Sequence, residues 1–163
     1  MELYFLRHGI AEELDGVKYK VDSERPLSSE GRSKMKEIAR AIQRMEIEFD
    51  QILSSSYVRA QQTAQAVAEE LKWKNKISLC EPLIPSASPK DLFREISTRY
   101  QNCESVLLVG HEPNISRSIS SLLAGHLNLA IQIKKGGSVF IPKFLRVKRM
   151  YKGLEVFIAE MFV

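Results

Sequence analysis

Cysteine is scarce in this chain. Cys80 and Cys103 are the two present among 163 residues, with no CxxC spacing. That number cannot build a framework of bridges or a paired-thiolate zinc knuckle, so free buried thiols in a reducing cytoplasm are the expectation. Long apolar runs are missing as well: Val106-Leu107-Leu108-Val109 and Val156-Phe157-Ile158-Ala159 fall far short of the roughly 18 residues that span a bilayer. The chain enters Leu3 without a basic leader or a signal-length apolar segment, which fits a cytoplasmic protein with no membrane attachment. HExxH and closely spaced Asp/His clusters are absent, which argues against a bound metal. GxxxxGK[ST] and GxGxxG are absent too, which disfavours nucleoside triphosphates and dinucleotides, so no cofactor is expected. The charge excess is small: 24 Lys plus Arg against 20 Asp plus Glu leave +4. That bias favours anionic partners, but no basic helix or aromatic-stacking strand motif accompanies it, and nucleic acid is not the expected one.

With 44% hydrophobic and 27% charged residues, the chain has the material for a packed core, and its length suits one domain over residues 1–163. Leu3-Tyr4-Phe5-Leu6 and Val106–Val109 are apolar without alternation, the pattern of strands buried on both faces, and Ile52-Leu53 is a shorter version. Each ends in a polar turn followed by a helical stripe. Ser28 is placed to cap Met35, Ile38, Ala39, Ile42 and Met45, with Gly31 a small cost in the first turn; Ala60, Ala64, Val67, Ala68 and Leu71 form a second stripe. Ser88-Pro89-Lys90-Asp91 reads as a capping box before Leu92 and Ile96, and Gly125 stops a helix carrying Ile115, Ile119 and Leu122. After Gly136-Gly137 the pattern changes to strands over 138–141, 145–150 and 154–162, with a turn at Lys152-Gly153. The fold class implied is α/β: three layers, with a mostly parallel central sheet flanked by helices and an antiparallel C-terminal addition.

In such sheets ligands bind beyond the carboxyl ends of the parallel strands. Arg7 and His8 follow the first strand, Arg59 opens the helix after the second, and His111 follows the Val-rich strand. Two guanidiniums and helix N-termini make an anion site whose donor forks match phosphate oxygens. A neutral imidazole inside it can attack phosphorus, and His8, beside Gly9, is the expected nucleophile, with His111 stabilising developing charge. His126, just past the Gly125 terminator, reads as a surface histidine.

Four segments in order carry a resemblance: Leu6-Arg7-His8-Gly9, Arg25-Pro26-Leu27-Ser28-Ser29-Glu30-Gly31, Ser54-Ser55-Ser56 with Arg59-Ala60-Gln61-Gln62-Thr63-Ala64, and Val109-Gly110-His111-Glu112-Pro113. Together they resemble the histidine phosphatase superfamily, the phosphoglycerate mutase-like fold. The short length and the RPLSxxG and GHEP segments look like its SixA-type phosphohistidine phosphatase branch. The resemblance implies a metal-independent phosphatase in which His8 takes the phosphoryl group, Arg7 and Arg59 clamp its oxygens and His111 completes the pocket. It implies as substrate a phosphohistidine on a protein, such as the phosphotransfer domain of a phosphorelay.

The general acid stays open among four carboxylates. Glu81 falls near the position of the acid in mutase-like branches but is followed by Pro82-Leu83-Ile84-Pro85. Asp22 shortly precedes Arg25-Pro26, and Glu12 and Asp15 lie in the loop after His8. Glu112 reads as a helix-start carboxylate. Arg25 either positions a carboxylate or structures its loop. Seven basic residues, Lys134, Lys135, Lys143, Arg146, Lys148, Arg149 and Lys152, with no acidic residue among them, read as a solvated sheet edge or as a docking face for an acidic partner. Alternatives to a protein substrate are a small phosphomonoester cleaved by the same chemistry and a noncatalytic phosphate-binding module. Protonating His8 disables attack, so activity is expected to fall in acid, and a flat rate from pH 5 to 8 counts against it.

Overall fold

The computed structural model describes residues 1–127, 133, 144–150 and 153–159, the last two segments as backbone. Strands β1 (Glu2–Arg7), β2 (Gln51–Ser54), β3 (Ser78–Leu79) and β4 (Ser105–Gly110) are parallel, while β5 (Phe144–Met150) and β6 (Gly153–Ala159) continue the sheet antiparallel in the order β3-β2-β4-β1-β5-β6. The helices are α1 (Ser29–Arg44), α2 (Val58–Glu70), α3 (Pro89–Arg99) and α4 (Asn114–Ala124).

Alternation along β1 explains the three layers. Tyr4 and Leu6 pack with Met35, Ile38 and Ile42 of α1 and Ala60, Ala64 and Val67 of α2, whereas Leu3 and Phe5 pack with Leu92 and Ile96 of α3 and Ile115 and Ile119 of α4. Both faces of the strand are therefore apolar, as its unbroken apolar run requires. The strand expected over 138–141, residues 160–162 of the last expected strand, and Lys152 of the expected turn lie outside the described residues.

The helix boundaries follow their caps. Ser28 accepts the Gly31 N–H at 3.0 Å, Ser88 accepts the Lys90 N–H at 3.3 Å, and Gly125 closes α4 at φ 71°. The capping-box role expected of Asp91 is corrected: its carboxylate receives Arg94 Nη2 at 2.7 Å, one turn further on. The edge reading of the basic stretch is corrected at β5. Arg146, Lys148 and Arg149 belong to a strand between β1 and β6, so the edge among the described residues is β6. Lys134, Lys135, Lys143 and Lys152 lie outside the described residues.

Gly31 is a requirement rather than a small cost. A Cβ there would stand 2.1 Å from the carbonyl oxygen of Ile10, because the loop leaving β1 crosses directly over the first turn of α1. Helix propensity alone would favour Gly31→Ala by up to about 1 kcal/mol, but a methyl driven into a backbone carbonyl forces the loop aside at about 1–3 kcal/mol. The expected result is a lower urea midpoint with unchanged helix content, and an equal or raised midpoint would remove the close approach from this account.

Candidate active site

Three strand ends meet because β4 lies between β2 and β1. The His8 N–H donates to the Gly110 carbonyl at 3.0 Å and the Ser55 N–H to the Val109 carbonyl at 3.0 Å. The turns after β1, β2 and β4 thus begin side by side. His8, Arg59 and His111 converge there at 4%, 3% and 1% exposure, although they are scattered through more than a hundred residues of sequence. The His8 and His111 ring centroids are 4.7 Å apart, and the Tyr57 ring centroid lies 4.8 Å from that of His111.

The tautomer of His8 follows from one contact. Its Nδ1 lies 2.7 Å from the Gly9 carbonyl oxygen, which can only accept, so Nδ1 carries the hydrogen and Nε2 keeps its lone pair. Arg59 Nε donates to that Nε2 at 3.2 Å, so a guanidinium already stands where a group bonded to Nε2 would carry negative charge. Gly9 is held in turn: its N–H donates to Thr63 Oγ1 at 3.1 Å, and the Thr63 hydroxyl donates to the Arg59 carbonyl at 2.8 Å. Thr63 therefore couples the His8 turn to the helix that presents Arg59. His111 Nε2 is 2.9 Å from Ser55 Oγ, and its Nδ1 is buried without a partner. Arg7 donates through Nη1 to the Ile133 carbonyl, while its Nε is likewise buried and unpartnered.

Burial, then the neighbouring His111 and arginines, pushes His8 down to about 2; burial, then Arg59, pushes His111 down to about 3. The ring stays neutral in the folded chain from pH 5 to 8, so the loss of activity expected in acid moves below that range. The same shifts bear on stability. Both folded-state values lie below the ordinary 6.5, so unfolding in acid takes up protons. The stabilisation is whole above about pH 6.5 and is lost as pH falls toward 3, at about 1.4 kcal/mol per pH unit for each ring. Urea titrations at pH 4, 5 and 6 should show this slope, reduced by about one proton in His8→Asn; equal slopes in the two proteins would refute it.

The four candidate acids fall in different surroundings. Asp22 meets Arg59 Nη2 at 2.8 Å through Oδ2 and Arg25 Nε at 2.9 Å through Oδ1, and its carbonyl accepts Arg59 Nη1 at 2.5 Å. Burial alone would raise its pKa, but the hydrogen bonds from Arg59 and Arg25 outweigh it and hold the carboxyl below its usual range. Asp15 is exposed and accepts the N–H groups of Val17, Lys18 and Tyr19, with the Tyr19 contact first among those that lower its pKa. Glu12 serves through its backbone: its N–H reaches the Pro26 carbonyl, and its own carbonyl accepts Arg25 Nη1 at 2.9 Å. Glu81 accepts Ser56 Oγ at 3.1 Å, one residue from the Ser55 that holds His111.

Arg25 thus does both things expected of it, positioning Asp22 and tying its loop. Glu112 accepts Ser116 Oγ through one carboxylate oxygen, and its other oxygen is buried and unpartnered. His126 is exposed. Cys80 is buried, with its thiol pushed up to about 12 by burial, and Cys103 is only half-buried. Among the described residues no cluster of three or more His, Cys, Asp or Glu is arranged to hold a metal ion, and no helix is long and apolar enough to cross a membrane. Gln62 was not legible as a site residue: its Oε1 accepts the Leu27 N–H at 2.7 Å and so fixes the far end of the loop that carries Asp22. Its place three residues after Arg59 was the available signal.

A neutral imidazole against a guanidinium at the ends of parallel strands is an arrangement suited to phosphoryl transfer on an α/β fold. The model of the histidine phosphatase superfamily (branch 1) matches residues 3–83. An uncharacterized protein of Picosynechococcus is 31% identical over 141 residues, covering 85% of this chain and 83% of that protein. The phosphohistidine phosphatase SixA of Escherichia coli is 26% identical over 127 residues, covering 77% and 76%. Among solved structures, the protein histidine phosphatase SixA complexed with tungstate has a TM-score of 0.73 at 22% identity, covering 91% of this chain and 88% of that one. The α-ribazole phosphatase of Shigella flexneri reaches 0.74 at 15% identity, covering 99% and 96%. This chain belongs to the histidine phosphatase superfamily and is SixA-like within it.

Proposed function

We propose that the protein removes phosphate from a phosphohistidine carried by another protein, such as a histidine phosphotransfer domain, through a phosphorylated His8. The observation that carries the chemistry is the His8 ring, with its Nδ1 hydrogen spent on the Gly9 carbonyl and its Nε2 lone pair directed to the Arg59 guanidinium. Nε2 attacks phosphorus as the P–N bond to the substrate imidazole breaks, and that imidazole leaves with the proton it already carries. Arg7, Arg59 and His111 hold the phosphoryl oxygens; the buried, unpartnered Arg7 Nε is a donor that an oxyanion would satisfy, and His111 Nδ1 is a second one in the tautomer whose Nε2 accepts from Ser55 Oγ. Water then attacks phosphorus of the phosphorylated His8, the P–N bond breaks with its electron pair returning to Nε2, and both water hydrogens leave on the dihydrogen phosphate.

The choice of a P–N over a P–O bond rests on the acid. Asp22, the candidate carboxyl bonded to Arg59, is held ionised by two guanidiniums and so is a poor proton donor to an alkoxide. A protonated imidazole needs no such donor. The runner-up, a small phosphomonoester, is favoured by the structural likeness to α-ribazole phosphatase and to a phosphoserine phosphatase of Entamoeba histolytica. Phosphate release from a panel of phosphorylated histidine phosphotransfer domains and from a panel of metabolite phosphates, each with His8→Ala as control, separates the two. A much higher kcat/KM on a metabolite would overturn the choice made here.

A further inference from the structure

Six large apolar side chains are exposed among the described residues, and three of them, Leu14, Val17 and Val21, fall on the loop between Glu12 and Pro26. Val17 is the most exposed of the six, at 85%. Scattered apolar side chains on a surface are ordinary; a group concentrated on one loop marks a contact surface.

The loop is built to display them. An Ala11–Leu27 bridge and the Glu12 N–H to Pro26 carbonyl bond of 2.9 Å close its base, and Arg25 Nη1 ties across to the Glu12 carbonyl. At its tip Asp15 Oδ1 gathers the Val17, Lys18 and Tyr19 N–H groups at 2.9, 2.8 and 3.2 Å. This is a compact loop with fixed ends, a form frequently given to function.

It is also continuous with the chemistry. Asp22, next to Val21, holds the Arg59 guanidinium, and His8 is only 4% exposed. A phosphoryl group borne by a protein reaches such a ring only when the surface around it rests on the rim of the site, and this loop forms the part of the rim joined to Arg59. Residues 12–24 carry five carboxylates against two lysines. With Asp22 paired to arginines, the four carboxylates Glu12, Glu13, Asp15 and Glu24 against Lys18 and Lys20 leave the loop a net −2.

We infer that the loop from Glu12 to Glu24 is the docking surface for the protein substrate: Leu14, Val17 and Val21 seat an apolar patch beside the partner's phosphohistidine, and basic side chains flanking that patch face Glu13 and Glu24. The inference rests on the reading of the protein as a phosphohistidine phosphatase and adds to it where the partner sits and what its surface is made of.

The test compares wild type, Val17→Asp and the Leu14→Ser, Val17→Ser double variant on two substrates: a panel of histidine phosphotransfer domains phosphorylated with phosphoramidate, and free phosphohistidine. The expected result is a KM for the phosphorylated domains raised at least tenfold in both variants with kcat within twofold, and turnover of free phosphohistidine within twofold of wild type. Unchanged KM for the domains overturns the docking surface. Equal losses on both substrates overturn it as well, because the loop would then act on the chemistry through Asp22. A wild-type dimer that Val17→Asp dissociates in sedimentation also overturns it, by giving the patch to a second copy. Wild type inert toward every phosphorylated domain removes the substrate reading, and the docking surface with it, and is read without either variant.

Discussion

His8→Ala is expected to lower turnover on the order of 10⁴-fold or more and to abolish the acid-labile phosphoryl label on the protein. The residue is 4% exposed and contributes the lone pair to which Arg59 Nε already donates at 3.2 Å, so no neighbouring group can take over by a small movement. The other imidazole within reach of the cluster, His111, is spoken for by Ser55 Oγ at 2.9 Å. Rapid-quench measurement with radiolabelled substrate separates the steps: wild type should show a phosphorylated histidine at residue 8 that forms and decays at rates consistent with kcat. Near-wild-type turnover by His8→Ala, or a label mapped to another residue, would end the covalent scheme.

Arg59 carries the second large effect. Each of its three nitrogens already donates once, Nε to His8 Nε2, Nη1 to the Asp22 carbonyl and Nη2 to the Asp22 carboxylate, which leaves the second hydrogen of each Nη for a phosphoryl oxygen, and its guanidinium lies 5.0 Å from the Tyr57 ring centre. Arg59→Lys keeps the charge but loses the planar fork, so it should recover little of the activity lost in Arg59→Ala, where kcat/KM is expected to fall on the order of 10³-fold or more. Lysine restoring activity to within tenfold of wild type would mean that charge alone is at work. The two substitutions should also differ in binding: phosphate or tungstate protects wild type against thermal unfolding, and that protection should be lost in Arg59→Ala.

Much of this site was readable from the chain because burial on both faces gives parallel strands continuous apolar runs, and whatever interrupts such a run marks the strand end. Arg7-His8 after Leu6 and His111 after Val109 stand out for that reason, and the family segments set Arg59 beside them. Contacts made to remote backbone were not readable. Gly31 looked like a minor loss of helix propensity, since nothing in its own neighbourhood tells that the Ile10 carbonyl lies against it. Thr63 and Gln62 were visible only as part of a motif, because their partners, the Gly9 and Leu27 N–H groups, lie 54 and 35 residues away. Composition could not separate the carboxylates either. Asp15 and Asp22 are alike in sequence, yet one ends against its own turn and the other against a guanidinium whose position depends on how α2 packs. The basic run after residue 134 looked like an edge because charge on a strand usually means one, whereas the sheet continues past β5 to β6.

The strand that brings the site together is also the last of the parallel set to be synthesised. β4 pairs Leu3 with Val106 and Ile52 with Leu107, so the central pairing closes loops of about a hundred and about fifty residues. Such long-range closures slow the search for the native state. Until they form, His8 and Arg59 have no common wall and His111 has not arrived. A nascent or truncated chain ending before β4 therefore carries Arg7, His8 and Arg59 without a working centre, and recovery of enzymatic activity during refolding should coincide with completion of the sheet rather than with formation of the early helices.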